Sequence, residues 1–416
     1  MIIKPIKQFN KALEVPSDKS IAQRAVLFSS MSGIPCKIYA KNLCQDAFSA
    51  IKCVKELGAN VDVDMQEGVV TIKGGTFNSC NLNVENSATA IRLLCGILAG
   101  AKAKRFVLYG DSSIARRPMQ RVLTPLKSMG ASIVSLDGKA PIAIEGRQLQ
   151  GIGYNSPIPS AQVKSAILLA GLNASGKTSV TEQIKSRDHT ERLLQFYGAN
   201  ISNKGLIATV IPSRLVPQNT LIPGDFSSAA FSLVLAAAIK GGRVQINNVG
   251  INPTRTGLLA VLKDCGAIFS ITNERNEFEP SGTIELEYAS LKPFNIGADL
   301  VPQIIDELPI LAVLACFIEG VSTIEGAGEL RYKESNRIDV MVSALKAMGA
   351  NIQATDSGMI IRGTGSLKGG IDIDTHGDHR IAMSLSIAGA LSIEGAIINN
   401  AECVNVSYPN FYDIIT

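Results

Sequence analysis

Val54-Lys55-Glu56-Leu57-Gly58-Ala59 returns as Leu126-Lys127-Ser128-Met129-Gly130-Ala131, Leu194-Gln195-Phe196-Tyr197-Gly198-Ala199, Leu262-Lys263-Asp264-Cys265-Gly266-Ala267 and Leu345-Lys346-Ala347-Met348-Gly349-Ala350. The period is roughly 65 to 85 residues, the mark of one supersecondary unit used repeatedly. Each copy follows an amphipathic stretch and precedes an alternating one, so each glycine is placed to close a helix in the left-handed conformation that glycine adopts without a Cβ penalty. A sixth copy would fall just past Thr416, which predicts a shortened last helix.

Working outward, a second signature alternates with the first. A polar cluster begins near Asp18, Asn86, Ser160, Asp225, Asp306 and Asp378. An apolar run rich in Ala, Leu, Ile and Ser follows, and a glycine ends it, at Gly33, Gly100, Gly176, Gly242, Gly320 and Gly395. Helices apolar on most faces belong in an interior. Six units, each with two helices and strands, divide into two domains of three, with crossovers near Pro16-Ser17 and Ile222-Pro223-Gly224 where chain-bending residues stand. The fold class is α/β or α+β.

The polar clusters decide the chemistry. They contain Asp18-Lys19-Ser20 with Arg24, Asn86-Ser87-Ala88-Thr89 with Arg92, Ser160-Ala161-Gln162, Asp306-Glu307 and Asp378-His379-Arg380. Ser, Asp and Asn are ordinary N-caps. Lys19 and Arg380, in contrast, oppose the helix dipole and make most sense if an anion completes the site. Parallel buried helices would bring their N-termini together, and with them unpaired N–H groups and partial positive charge, which makes an anion site. Arg116-Arg117-Pro118 and Arg331-Tyr332-Lys333-Glu334-Ser335-Asn336-Arg337 add charge at element junctions. On a helix Lys333 and Arg337 would share a face.

Composition excludes several classes. Lys and Arg number 40 against 36 Asp and Glu, a net charge of +4, far below the basic excess of a nucleic-acid binder. The eight cysteines show neither a Cys-x-x-Cys pair nor metal-ligand spacing, which reads as buried thiols in a reducing compartment. The run from Leu308 to Ile318 is too short to span a membrane, and the first residues lack a signal-peptide core. A cytoplasmic location is expected. Gly171-Leu172-Asn173-Ala174-Ser175-Gly176-Lys177-Thr178 matches the Walker A pattern, but an apolar helix precedes it and a strand follows. That reverses the strand-loop-helix order phosphate binding needs. His376 and His379 with Asp374 and Asp378 have no evident third ligand for a metal.

Taken together, eight motifs resemble the EPSP synthase family, the 3-phosphoshikimate 1-carboxyvinyltransferases. They are D-K-S-I-x-x-R at Asp18–Arg24, N-S-x-T-A-x-R at Asn86–Arg92, R-R-P-M at Arg116–Met119, S-A-Q-V-K-S-A at Ser160–Ala166, S-R-D-H-T-E-R at Ser186–Arg192, P-G-D-x-S-S-A-A at Pro223–Ala230, K-E-S-N-R-I at Lys333–Ile338 and D-H-R-I-A-M at Asp378–Met383. The resemblance implies two domains of three βαβαββ-type repeats around buried helices, an inside-out α/β barrel, with the ligand cleft between domains. One domain would join residues 1–16 to 223–416, and the other would be 17–222. It implies transfer of the enolpyruvyl group of phosphoenolpyruvate to the 5-hydroxyl of shikimate 3-phosphate, on the route to chorismate and aromatic amino acids, by a monomer needing no metal or organic cofactor.

Carried over residue by residue, shikimate 3-phosphate would meet Lys19, Ser20, Arg24, Ser160, Ala161, Gln162, Ser186, Asp306 and Lys333. Phosphoenolpyruvate would meet Lys19, Asn86, Ala88, Arg117, Gln162, Arg337 and Arg380. Asp306 would be the base at the hydroxyl, Glu334 the proton donor to the methylene, and Lys19 would stabilise charge or share proton transfer. The chain departs from the family at four places. Ala88 stands where many members have Gly, which predicts reduced sensitivity to glyphosate. No Lys precedes Tyr408-Pro409, His189 replaces Tyr, and Glu329 replaces Asn. Two rival readings remain: a UDP-N-acetylglucosamine enolpyruvyl transferase, for which Asp111 but no Cys is present in the relevant loop, and a non-catalytic nucleotide or RNA-end binder on the same repeat, against which the pair Asp306 and Glu334 argues.

Overall fold

All five glycines of the first signature have positive φ, from +78° at Gly198 to +102° at Gly58. In each copy the alanine N–H donates to the carbonyl five residues back, Ala59 to Val54 through Ala350 to Leu345, at 2.9 to 3.0 Å, while the glycine N–H bonds three residues back. This paired closure satisfies carbonyls that would otherwise be left open at the helix end. In the computed structural model, which describes residues 1–415, these turns punctuate two compact units: Ser17–Ile222, and Met1–Pro16 together with the chain from Pro223 onward.

The Ser17–Ile222 unit contains α1 (Lys19–Ser29), α2 (Gln45–Glu56), α3 (Ala88–Ala99), α4 (Ser112–Arg116), α5 (Gln120–Ser128), α6 (Ala161–Gly171) and α7 (His189–Phe196). The other contains α8 (Phe226–Ala238), α9 (Gly257–Asp264), α10 (Val301–Ile304), α11 (Leu308–Cys316), α12 (Arg337–Ala347) and α13 (His379–Leu391). The second-signature runs are α1, α3, α6, α8, α11 and α13. All of α3 and α11 is buried, as is nearly all of α8 and α13. Each fully buried Leu or Ile contributes about 1.5 to 3 kcal/mol relative to exposure, so these helices form the cores. At Gly96 in α3 a Cβ would lie 2.2 Å from the Ala166 carbonyl of α6, so the two helices cross almost backbone to backbone.

Around each buried helix the strands repeat one pattern. In the second repeat of the Ser17–Ile222 unit the sheet runs Cys80–Asn83, Arg105–Tyr109, Lys139–Glu145, Ser132–Leu136, its first pair parallel and the others antiparallel. The sheets starting at Gly153–Asn155 and Asn295–Ile296 have the same order. In two repeats the parallel edge strand is supplied by a distant segment. Thr220–Leu221 pairs with Cys36–Tyr39, and Asn10–Glu14 pairs with Arg243–Gly250. The sixth repeat keeps only Ile371–Asp374 and Ala396–Asn399, completed by Ile2–Ile3. After it the described chain makes only 3-10 turns, at Ala401–Val406 and Phe411–Ile414. The architecture is mixed α/β, and among the described residues the sheets stay separate rather than closing into a barrel.

Two local expectations are corrected. The glycines of the second signature do not all close helices: α13 ends four residues before Gly395, α8 four before Gly242, and Gly33, Gly100 and Gly242 lack positive φ. Two of them admit a neighbouring backbone instead; a Cβ at Gly242 would lie 2.4 Å from the Ala236 carbonyl, and one at Gly395 2.3 Å from the Ile3 carbonyl. Lys333 does not share a helix face with Arg337, because it is extended, between a 3-10 turn at Gly328–Tyr332 and the start of α12. The Walker-like stretch leaves the C-terminus of α6 at Gly171 and enters the strand Thr178–Thr181. A helix C-terminus carries partial negative charge and repels phosphate.

Candidate active site

In the Ser17–Ile222 unit the first turns of α1, α3 and α6 are tied to one another. Asp18, Ser87 and Ser160 cap them, accepting from the backbone N–H of Ile21, Ala90 and Val163. The cap of α3 is thus Ser87, which leaves Asn86 to donate to Asp111 Oδ2 at 2.6 Å. Ser87 Oγ donates to Gln23 of α1 at 2.6 Å. Arg92 of α3 donates to Gln162 Oε1 of α6, and Gln162 Nε2 donates back to Thr89 Oγ1 at 3.0 Å. The expected neighbourhood of Asn86, Ala88 and Gln162 is therefore built, with Ala88 itself buried at the start of α3.

Arg24, only 3% exposed, donates from Nε to Thr190 Oγ1 at 2.8 Å, from Nη1 to the Ser20 carbonyl at 2.9 Å and from Nη2 to Ser165 Oγ at 3.3 Å. Lys19, flagged by its position against the dipole, lies 3.2 Å from Asp46 Oδ2 of α2. Part of the compensation that the sequence assigned to a ligand thus comes from an acidic neighbour. Arg117 follows α4 with Nη2 3.5 Å from Ser113 Oγ. Ser186 is held by Glu182, whose carboxylate accepts its N–H at 3.3 Å and its hydroxyl. Glu182 and Glu191 each lie 2.7 Å from Lys164 Nζ, and all three side chains are at most 3% exposed. Burial opposes the Lys164 charge, but attraction to the two carboxylates outweighs it and raises its pKa. One ammonium cannot offset both, and burial pushes the Glu191 carboxyl up.

The other unit builds a cluster of its own around two buried guanidiniums. Asp225 and Asp378 cap α8 and α13. Arg337 at the start of α12 places Nε 2.8 Å from Asp378 Oδ2, Nη2 2.6 Å from Glu334 Oε2 and Nη1 3.6 Å from Asp306 Oδ1. Burial opposes its charge, but these three carboxylates outweigh that and hold its pKa above the ordinary value. Arg255 lies 3.5 Å from Asp225, 3.8 Å from Asp306 Oδ2 and 3.9 Å from Glu307, and donates to Ser227 Oγ at 2.5 Å. Asp306 therefore has one arginine toward each oxygen. Ser227 donates to Glu307, and Arg380 reaches the Ser227 carbonyl at 3.4 Å while lying 6.0 Å from the Phe231 ring centroid. Lys333 pairs with Glu329 at 3.6 Å, and burial lowers its pKa, which eases loss of its proton.

The expected site residues thus fall into two sets: Lys19, Ser20, Arg24, Asn86, Ala88, Arg117, Ser160, Ala161, Gln162 and Ser186 in one unit, and Asp306, Lys333, Glu334, Arg337 and Arg380 in the other. Sequence reasoning missed Asp46, Lys164, Glu182, Glu191 and Arg255. Lys164 and Glu191 stand inside the motifs at Ser160–Ala166 and Ser186–Arg192 without having been singled out, Arg255 is a basic residue just before the helix α9, and Asp46 and Glu182 meet their partners through contacts no short pattern encodes.

The model of the EPSP synthase (3-phosphoshikimate 1-carboxyvinyltransferase) family matches residues 3–415. The 3-phosphoshikimate 1-carboxyvinyltransferase of Thermoanaerobacter sp. strain X514 is 46% identical over 412 residues, covering 98% of this chain and 97% of its own. That of Bacillus velezensis is 44% identical over 422 residues, with the same coverage. A solved EPSP synthase structure from Acinetobacter baumannii superposes with a TM-score of 0.87 at 39% identity, covering 99% of this chain and 96% of the other.

Proposed function

Because the chain belongs to the EPSP synthase family of 3-phosphoshikimate 1-carboxyvinyltransferases, we propose that residues of both sets serve its reaction. The reaction is transfer of the enolpyruvyl group of phosphoenolpyruvate to the 5-hydroxyl of shikimate 3-phosphate, with release of phosphate. The observation that best supports the residue roles is that one buried guanidinium, Arg337, touches both Asp306 and Glu334. Addition needs a base to take the hydroxyl proton as the oxygen bonds to the enolpyruvyl carbon, and an acid to deliver a proton to the methylene. Elimination reverses the proton at the methylene and expels phosphate. In our reading Asp306 is the base and Glu334 the acid, two carboxylates held at a fixed relation by one rigid fork.

The substrates bring several negative charges. On this proposal Lys19, Ser20, Arg24, Ser160, Ala161, Gln162 and Ser186 receive shikimate 3-phosphate, with Asp306 and Lys333 on its ring hydroxyls. Lys19, Asn86, Ala88, Arg117, Gln162, Arg337 and Arg380 surround phosphoenolpyruvate. Helix N–H groups and fixed cations at these positions favour the charge that develops on the departing phosphate. A Glu at 329 places an acid beside Lys333, so we expect Lys333 to exchange that partner for a substrate hydroxyl. The chain acts as a monomer in the cytoplasm on this reading, and no helix among the described residues is long and apolar enough to cross a membrane.

The test is phosphate release from phosphoenolpyruvate with alternative acceptors. Release with shikimate 3-phosphate and none with UDP-N-acetylglucosamine is expected, and the opposite selectivity overturns the reading.

A further inference from the structure

Glu85 is one of the few non-glycine residues with positive φ, at +52°, and it immediately precedes Asn86. A side chain bearing a Cβ is disfavoured in that conformation and persists there only where surrounding contacts over-determine it. Those contacts come from α2. Gln45 Nε2 donates to Glu85 Oε2 at 2.8 Å, Ser49 Oγ to the same oxygen at 2.6 Å, and Lys52 Nζ to Oε1 at 2.5 Å. Burial alone would raise the carboxyl pKa, yet the three donors outweigh it and bring it down to about 2. The carboxylate is therefore ionised throughout the pH range in which proteins are handled.

The backbone of the same residue holds a second segment. The Glu85 carbonyl accepts the Asp111 N–H at 2.9 Å, and it approaches Gly110 so closely that a Cβ there would lie 2.4 Å from it. Asp111 in turn receives Asn86 Nδ2 at 2.6 Å and caps α4 by accepting from Ile114 N–H at 2.9 Å. Arg117 terminates that helix.

We propose that Glu85 is a positioning residue for phosphoenolpyruvate: its carboxylate, clamped by Gln45, Ser49 and Lys52, holds the left-handed turn that aims both the Asn86–Ala88 start of α3 and the Asp111–Arg117 segment. The inference rests on the assignment of Asn86 and Arg117 to phosphoenolpyruvate made above. Neither segment would keep its place without the turn, because each is bonded to it and the turn itself is unfavourable unaided. Shikimate 3-phosphate is met by Lys19, Ser20, Arg24 and the start of α6, none of which bonds Glu85; α1 and α6 join α3 only through Ser87–Gln23 and the Arg92–Gln162–Thr89 bonds, so the effect falls first on phosphoenolpyruvate.

The experiment is steady-state kinetics on the full chain with each substrate varied in turn, for Glu85→Ala, Glu85→Gln and Asn86→Ala. Glu85→Ala keeps the unfavourable backbone and loses the clamp, and displacement of binding groups by about an ångström corresponds to a rise in KM for phosphoenolpyruvate of roughly tenfold or more. KM for shikimate 3-phosphate should stay within about twofold, which also certifies that the variant is folded. Glu85→Gln keeps one acceptor oxygen, for either Lys52 or the Gln45 and Ser49 donors, and should recover part of the affinity, a rescue that general loss of stability would not give. If Asn86→Ala raises KM for phosphoenolpyruvate while Glu85→Ala does not, or if both of the KM values rise together in Glu85→Ala, the inference fails. If Asn86→Ala leaves phosphoenolpyruvate unaffected, the underlying site assignment fails instead.

Discussion

Lys164→Met removes the single cation from a buried cluster of three charges. In the wild type the ammonium lies 2.7 Å from both Glu182 and Glu191, with all three side chains at most 3% exposed. Methionine fills nearly the same volume, so cavity formation contributes little, and the loss is electrostatic. Deleting one partner of a buried pair costs about 3 to 5 kcal/mol because the remaining charge stays desolvated. A value near the middle, about 4 kcal/mol, shifts the folding equilibrium by roughly a thousandfold. For a unit of 150 to 250 residues each kcal/mol moves the melting temperature by about 2 to 4 °C, so a fall of roughly 8 to 16 °C is expected.

The pH dependence supplies the sharper check. Glu191 already has a folded-state pKa raised by burial, with Lys164 working against that rise. Without the ammonium the rise grows. A carboxyl whose folded pKa lies above its unfolded value contributes stability that is complete below the unfolded pKa and disappears as pH climbs through the folded one. The variant should therefore melt furthest below wild type at pH 8 and approach it toward pH 5. Circular-dichroism melts of both proteins at pH 5, 6.5 and 8 measure this directly. A deficit under about 3 °C at pH 8, or one that does not narrow on acidification, would show that water screens the cluster and that the burial argument is wrong.

Asp306→Asn and Glu334→Gln should each lower kcat by about a hundredfold to ten-thousandfold, the usual contribution of a positioned acid or base. Near wild-type turnover in either removes that residue from proton transfer. Ala88→Gly should make the enzyme more sensitive to glyphosate by roughly tenfold or more in inhibition constant, the worth of one methyl group in a tight pocket. An unchanged constant would mean that the Ala88 methyl does not face the inhibitor. Gly96→Ala gains about 1 kcal/mol of helix propensity but drives a Cβ to 2.2 Å from the Ala166 carbonyl, and overpacking of this kind costs about 1 to 3 kcal/mol or more. Backbone cannot yield as a side chain can, so a net loss in denaturant midpoint is expected, and a gain would refute the close crossing.

Legibility in the sequence followed the range of the interaction. The five glycine closures were plain because every partner lies within six residues, and the capping residues Asp18, Ser160, Asp225 and Asp378 for the same reason. Asn86 was read as a member of its cluster, yet the cap is Ser87 and Asn86 turns to Asp111, a choice made by a loop 25 residues away. Lys19 illustrates the limit most clearly. Its conflict with the helix dipole was visible, but the carboxylate answering it belongs to Asp46 on another helix. Arg255 and the Lys164 cluster owe their importance to what surrounds them in space, and a buried charge looks no different in sequence from a solvated one.

The strands supplied from distant segments bear on the order in which the polypeptide matures at the ribosome. Ile2 and Ile3 find their partners only at Ile397 and Ala396, and Asn10–Glu14 must wait for Arg243–Asn247. At about 5 to 20 residues per second, translation of the intervening 390 or so residues takes roughly 20 to 80 seconds. From the synthesis of Ile222 onward the unit comprising Ser17–Ile222 is whole, while Ile3 and the rest of the N-terminal segment, with Phe9 and Val15 also destined for burial, still wait for partners in the chain beyond Pro223. The nascent chain thus carries a short apolar, strand-forming leader for most of its synthesis, and that leader is the segment on which a holding chaperone would act.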